Sequence, residues 1–196
     1  MKLGKKRIHI APVGFEIDRV VIPAVDNKAD KVFLLVHNNK KEDKASSYAE
    51  QIIKQLKSNK IESEKISVNW RDVESITKAA RRLILEQFGN DIFVNVASGS
   101  KNHAIALDRA IMTLEDQTGI VEFYAESEKY EGFKPGKQQL STGVKDTKTI
   151  PKRQMILPTG KLRSALFILY KNSLKQEGTC TFPCKEEHPL KAEESK

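Results

Sequence analysis

Along the first 126 residues the apolar positions switch repeatedly between the runs expected of buried strands and the three- and four-residue spacing of helices. Residues 7–13, RIHIAPV, form a β-rich run that stops at Pro12 and Gly14. In the following FEIDRVVIPAVDNKAD, Ile17, Val20, Val21 and Val25 fall near one helical face, and Pro23 is expected to bend or interrupt that helix. KVFLLV at 31–36 is continuously apolar, as a strand buried on both faces requires. Residues 44–58 then place Ala45, Tyr48, Ala49, Ile52, Ile53 and Leu56 on one stripe, which predicts an amphipathic helix, and KISVNW at 65–70 reads as a short strand. Asp72 is the expected N-cap of a helix that turns Val73, Ile76, Ala80, Leu83, Ile84 and Phe88 inward and stops at Gly89. DIFVNVA at 91–97 is the next strand. After the small-residue turn Ser98-Gly99-Ser100, a helix over 101–116 should bury Ala104, Leu107, Ala110, Ile111 and Leu114, and VEFYA at 121–125 is the fifth strand.

Five strands interleaved with four helices by short loops predict an α/β fold, a Rossmann-like parallel sheet with helices on both faces. The pattern divides the chain into three parts. Residues 1–126 carry the alternation, 127–158 are polar and read as an edge hairpin or linker around Pro135 and Gly136, and 159–196 hold a C-terminal helix and a tail without periodicity. The helix places Leu162, Leu166, Ile168, Leu169 and Leu174 at apolar positions and ends at Gly178.

Composition narrows the function classes. The 196 residues include 34 Lys plus Arg against 26 Asp plus Glu, a formal charge of +8, with 39% hydrophobic residues, enough for one core and an appendage. Apolar runs are too short to cross a bilayer, so a membrane is not among the expected partners. The basic start MKLGKKR is followed by IHIAPVGFEIDR, whose charges interrupt any export signal, and both cysteines lie in the tail; a cytoplasmic location is expected. Excess positive charge points to a polyanionic partner, although the lysine-rich stretches 5–7 and 145–153 read equally well as solvated faces.

Chemistry should lie where two strands end in small-residue turns. In open parallel sheets a ligand occupies the crevice beyond the C-terminal strand ends, at the reversal of strand order, and the first and fourth strands are the expected flanks. After the fourth comes Ala97, Ser98, Gly99, Ser100 and Lys101, with Asn102 and His103 in the first helical turn. Small residues admit a ligand to the backbone, the helix N-terminus favours an anion, and Lys101 adds a full charge. The spacing is neither a Walker A loop nor a dinucleotide fingerprint, so no nucleotide cofactor is called for. In the first loop, Gly14 permits a tight turn, Phe15 can stack on a base or close a pocket, and Arg19 can meet phosphate or pair with Glu16 or Asp18. Cys180, Cys184 and His188 do not match a common zinc spacing and read as ordinary tail residues; no metal is expected. His103 reads as a histidine packing on the loop rather than a general acid-base group, His9 as structural, His37 as lying near the crevice, and Trp70 as core or rim at the end of the third strand.

Three segments together carry a family resemblance: IHIAPVGFEIDRVVIPA at 8–24, DKVFLLVHN at 30–38 and IFVNVASGSKNHAIALDRA at 92–110. Over residues 7–126 the chain resembles the CARF domain, the CRISPR-associated Rossmann fold, in the branch of Csa3-like archaeal putative transcriptional regulators. The resemblance implies a homodimer whose paired loops bind a cyclic oligoadenylate, tetra- or hexa-adenylate, in antiviral signalling or transcription regulation. Carried over by position, the binding residues are Pro12, Val13, Gly14, Phe15, Glu16 and Arg19 from the first loop and Ser98, Gly99, Ser100, Lys101 and Asn102 from the second. An alternative of the same fold is a metal-independent ring nuclease using Ser98, Ser100, Lys101 and Arg19; a further one is a DNA-binding regulator. The last requires a winged helix of about 60 residues, of which only a first helix is legible before the final 20 residues, so DNA is expected as a partner only if that domain is completed.

Overall fold

The computed structural model describes residues 4–39, 42–131, 139–153, 164–166 and 168–169. The chain divides into two compact units, residues 1–155 and 156–196. In the second, residues 164–166 and 168–169 are helical; the rest of the expected C-terminal helix, with Cys180, Cys184 and His188, lies outside the described residues.

The first unit alternates β1 (Arg7–Pro12), α1 (Asp18–Asp26), β2 (Lys31–His37), α2 (Ser46–Ser58), β3 (Glu62–Val68), α3 (Val73–Glu86), β4 (Asp91–Asn95), α4 (Lys101–Met112) and β5 (Ile120–Glu126). A two-stranded ladder, β6 (Lys129–Tyr130) with β7 (Ser141–Thr142), and an edge strand, β8 (Asp146–Thr149), follow. The main sheet has the order β3-β2-β1-β4-β5-β8; all its pairs are parallel except β5 with β8. This is the Rossmann-like sandwich that the alternation predicts.

Alternate side chains of the central strands serve opposite layers. Ile8, Ile10, Ile92 and Val94 pack with α3 and α4, whereas Ala11, Val32 and Leu34 pack with α1 and α2. Asp72 caps α3 as expected, its carboxylate accepting from the amides of Glu74 and Ser75 at 3.0 and 3.1 Å.

The departures from expectation have local causes. β3 starts at Glu62 and ends at Val68, because an edge strand needs no continuous apolar run; Lys31 bridges Glu62 and Glu64 along it. Trp70 therefore lies past the strand rather than at its end. Phe88 is 56% exposed, since α3 has ended at Glu86 and the inward stripe with it. In α4 it is Ala106 rather than Ala104 that is fully buried, and the helix stops at Met112. The segment 127–150 contributes both a small hairpin and an edge strand.

Pro23 does not interrupt α1. It lacks the N–H that would bond the Arg19 carbonyl one turn earlier, and Asn95 Nδ2 fills that vacancy, donating to Arg19 O at 2.7 Å. Asn95 is 1% exposed and also accepts from the Ala97 amide at 2.8 Å. One side chain at the end of β4 thus satisfies the carbonyl that Pro23 leaves free and shapes the loop that follows.

Candidate functional site

Strand order reverses between β1 and β4, and the loops leaving these two strands meet there. Their contact is glycine on glycine. A Cβ on Gly14 would lie 2.7 Å from the Gly99 backbone nitrogen, and one on Gly99, which has φ +77°, would lie 2.8 Å from Pro12 Cβ. Ser98, 2% exposed, locks the contact by donating its hydroxyl to the Pro12 carbonyl at 2.7 Å.

Above this floor opens a cleft of about 1120 Å³. Val13, Gly14, Phe15, Glu16 and Arg19 line it from the first loop, and Ser98, Gly99, Ser100 and Lys101 from the second. Two sequence-selected residues are set back from it. Pro12 packs under Gly99, and Asn102 donates its amide to the Trp70 carbonyl at 3.1 Å. Tyr124, Tyr130 and Leu140 add walls that the sequence did not mark, and His37, His103 and Trp70, read from the sequence as lying near the crevice, on its loop and at core or rim, line it too.

The two helix N-termini at the cleft differ in what they leave open. At α1, Gln139 Oε1 accepts from the amides of Ile17 and Asp18 at 2.8 and 3.1 Å, capping the helix from 121 and 122 residues away in sequence. Asp18 accepts in turn from the Gly143 amide, and Leu140 donates its amide to the Phe15 carbonyl. The segment around β7 is therefore stitched onto the first loop. At α4, the amides of Lys101 and Asn102 have no acceptor among the described residues, and Lys101 extends into solvent beside them. Free amides, the positive end of α4 and one lysine together make this end of the cleft electropositive.

Glu16 and Arg19, expected as ligand contacts or as a surface ion pair, form a pair that lines the cleft but is buried rather than on the surface. Arg19 is 3% exposed, and its Nη1 lies 2.7 Å from Glu16 Oε2. Arg19 Nε donates to the Ala125 carbonyl at 2.8 Å, its guanidinium lies 4.8 Å from the centre of the Tyr124 ring, and Nη1 also reaches the Tyr130 hydroxyl at 3.2 Å. The other Glu16 oxygen accepts from Ser141 Oγ at 2.7 Å. Burial works against the guanidinium charge, but the adjoining Glu16 carboxylate and, after it, Tyr124 together outweigh it, so the Arg19 pKa is raised. The pair ties α1, β5 and both strands of the small hairpin together, which sets Tyr124 and Tyr130 at the cleft. Such long-range ties leave no local signature in the sequence.

His103 packs on the second loop, as expected, but in a defined geometry. Its Nδ1 accepts from the Ser100 amide at 3.2 Å and lies 2.9 Å from Ser100 Oγ. Burial, with a smaller push from neighbouring His37, lowers its pKa to about 4. His37 itself sits edge-on to Trp70, the ring centres 6.0 Å apart. Among the described residues no group of three or more His, Cys, Asp or Glu side chains is arranged for a metal, and no helix is long and apolar enough to cross a membrane.

Fold and crevice together define an open-sheet α/β domain with a cleft at its topological switch point. The chain belongs to the family described as HFX_2341_N:-like, N-terminal, whose model matches residues 7–130. Among curated proteins it is 28% identical over 130 residues to the uncharacterized protein MJ1513 of Methanocaldococcus jannaschii. That match covers 62% of this chain and 38% of the relative, so the chain spans well under half the relative's length.

Among solved structures, a type III CRISPR defence DNA nuclease activated by cyclic oligoadenylate aligns with a TM-score of 0.53 at 14% identity, over 64% of this chain and 19% of that one. Protein VC1899 of Vibrio cholerae aligns at 0.51 and 14% identity, covering 61% and 30%. Can2 of Sulfobacillus thermosulfidooxidans, solved in complex with cyclic tetra-adenylate, aligns at 0.49 and 21% identity, covering 61% and 32%. The first two likenesses establish a shared fold.

Proposed function

We propose that this chain is a CARF-type sensor that binds a cyclic oligoadenylate in the β1–β4 cleft. The observation that carries the reading is the open N-terminus of α4, with its free amides and Lys101, at the strand-order reversal. The ligand class follows from chemistry. Each phosphodiester brings a negative charge to an electropositive helix end, and the exposed rings of Phe15, Tyr124 and Tyr130 offer faces on which purine bases stack. A nuclease of the same fold is activated by cyclic oligoadenylate, which supports the assignment.

Two copies related by a two-fold axis would present two such helix ends to a ligand that is itself symmetric, so the sensor acts as an isologous homodimer. Gly14, Phe15 and Ser98 to Lys101 contact the ring, while Glu16 and Arg19 hold the cleft wall. Ligand binding favours one dimer geometry over another and passes the signal to an antiviral or transcriptional effector.

Incubating the purified protein with radiolabelled cyclic tetra- and hexa-adenylate, then resolving complexes and products on gels, tests this directly. A shifted band with intact ligand is expected. Linear products would convert the sensor into a ring nuclease, and the absence of a shift with either ring would refute the reading.

A further inference from the structure

The first turn of α4 carries a polar group that the reading above leaves unused. His103 is 4% exposed and lines the cleft, and its ring is held at Nδ1 by the loop before α4. Gly99 packs so close that an added Cβ there would stand 3.1 Å from His103 Nδ1, and Ser100 engages the same nitrogen through its amide and hydroxyl.

That arrangement fixes the tautomer. A backbone N–H can only donate, so Nδ1 must be the unprotonated nitrogen, and the neutral ring carries its proton on Nε2. Burial holds the ring neutral, with the pKa lowered to about 4. His103 Nε2 is shielded from water and has no hydrogen-bond partner among the described residues, whereas the Nε2 of His37, on the same cleft, faces the Glu42 carboxylate at 3.7 Å. Buried donors are almost always satisfied in folded proteins. The N-capping role of His103 needs only Nδ1, so the Nε2–H is surplus to the structure.

We propose that His103 Nε2–H is a ligand-binding donor that takes a non-bridging oxygen of a phosphodiester bound in the cleft. It lies on the same helical turn as the free amides of Lys101 and Asn102, so one anionic group can be shared among these donors. Its water has already been removed on folding, and an oxygen that displaces the covering edge of a neighbouring side chain gains a bond without stripping a hydrated donor. Being neutral and locked, the donor also adds specificity for an acceptor without adding charge.

The inference deepens the proposed function and rests on its reading of the cleft as a phosphodiester site. It is tested by nitrogen-15 NMR of the histidines in the full chain, together with the His103→Asn variant. Asparagine keeps an acceptor near the Nδ1 position for the Ser100 cap and lacks the Nε2–H. In the free protein His103 should show the Nε2–H tautomer, and cyclic tetra-adenylate should shift its Nε2 resonance. The variant should keep its thermal midpoint within a few degrees and bind about ten- to a hundredfold more weakly, the range for a hydrogen bond to a charged acceptor.

An Nδ1–H tautomer, an unmoved Nε2 in the ligand-bound protein, or unchanged affinity in the folded variant would overturn the assignment. If the wild type binds neither cyclic tetra- nor hexa-adenylate, the proposed function fails separately, and a linear oligoriboadenylate becomes the probe. Perturbation of His103 Nε2 by that strand sustains the donor role, and no perturbation overturns it as well.

Discussion

The N-termini of α1 and α4 face the same crevice, yet the fold has closed one and left the other open. α1 receives Gln139 on its first amides and buries its nearby charge in the Glu16–Arg19 pair. Among the described residues, α4 keeps amides without an acceptor, an exposed lysine and an imidazole with a buried nitrogen that makes no hydrogen bond. Similar local sequences, each a strand followed by a glycine turn and a helix, thus play unlike parts. The first is scaffold for the cleft wall and the second carries the proposed anion site. The difference arises because the segment 139–143 reaches only the first.

The largest expected effect follows from cutting the scaffold. Arg19→Ala leaves the Glu16 carboxylate buried without its cation and removes the tie to Ala125 and Tyr130, so urea unfolding should show a loss of about 3–5 kcal/mol. A loss under about 1 kcal/mol would mean that the pair does not hold the wall.

Next in size is a pH effect on the open side. His103 has its pKa lowered to about 4 from 6.5, so the unfolded chain binds the extra proton first as pH falls. The contribution of its neutral form is complete above pH 6.5 and is lost progressively down to pH 4, on the order of 3 kcal/mol at about 1.4 kcal/mol per unit. His9, buried and stacked on Phe93, is lowered to about 4 by burial and acts in the same direction. Glu122 acts in the opposite one. Burial, and secondarily Asp108, raise its pKa to about 7, so its contribution is present below pH 4.5 and lost as pH rises through 7. The difference between wild type and His103→Asn in thermal melts from pH 7.5 to 4 isolates the first term: the variant should lose less stability over that window.

The smallest effect belongs to the plug. Gln139→Ala removes a cap from α1 and should cost about 1 kcal/mol, as such caps do, while leaving ligand affinity within about twofold. A large loss of affinity would show that the two helix ends are not divided in the way proposed.

Legibility in the sequence follows the range of the forces involved. β1, β2 and β4 are buried on both faces, so their apolar runs were visible, and so was the switch point between β1 and β4. β3 and β8 lie on edges and carry residues such as Glu62, Glu64 and Lys148 that water accepts, which hid the start of one and left the other open between edge hairpin and linker. Gly14, Ser98 and Gly99 were legible because small residues at strand ends have few explanations. The fate of Arg19 was not, because its partners include Ala125 and Tyr130, more than a hundred residues away. Nor was the role of Asn95, which depends on Pro23 having freed a carbonyl one helical turn earlier.

The central claim is that the cleft binds its anion at α4 and not at α1. Titration calorimetry of cyclic tetra-adenylate at two salt concentrations, with wild type, Lys101→Ala and Gln139→Ala, tests it most directly. Lys101→Ala should weaken binding at least about tenfold and flatten its salt dependence, while Gln139→Ala stays close to wild type. Equal affinity in wild type and Lys101→Ala, or a greater loss in Gln139→Ala, would contradict it.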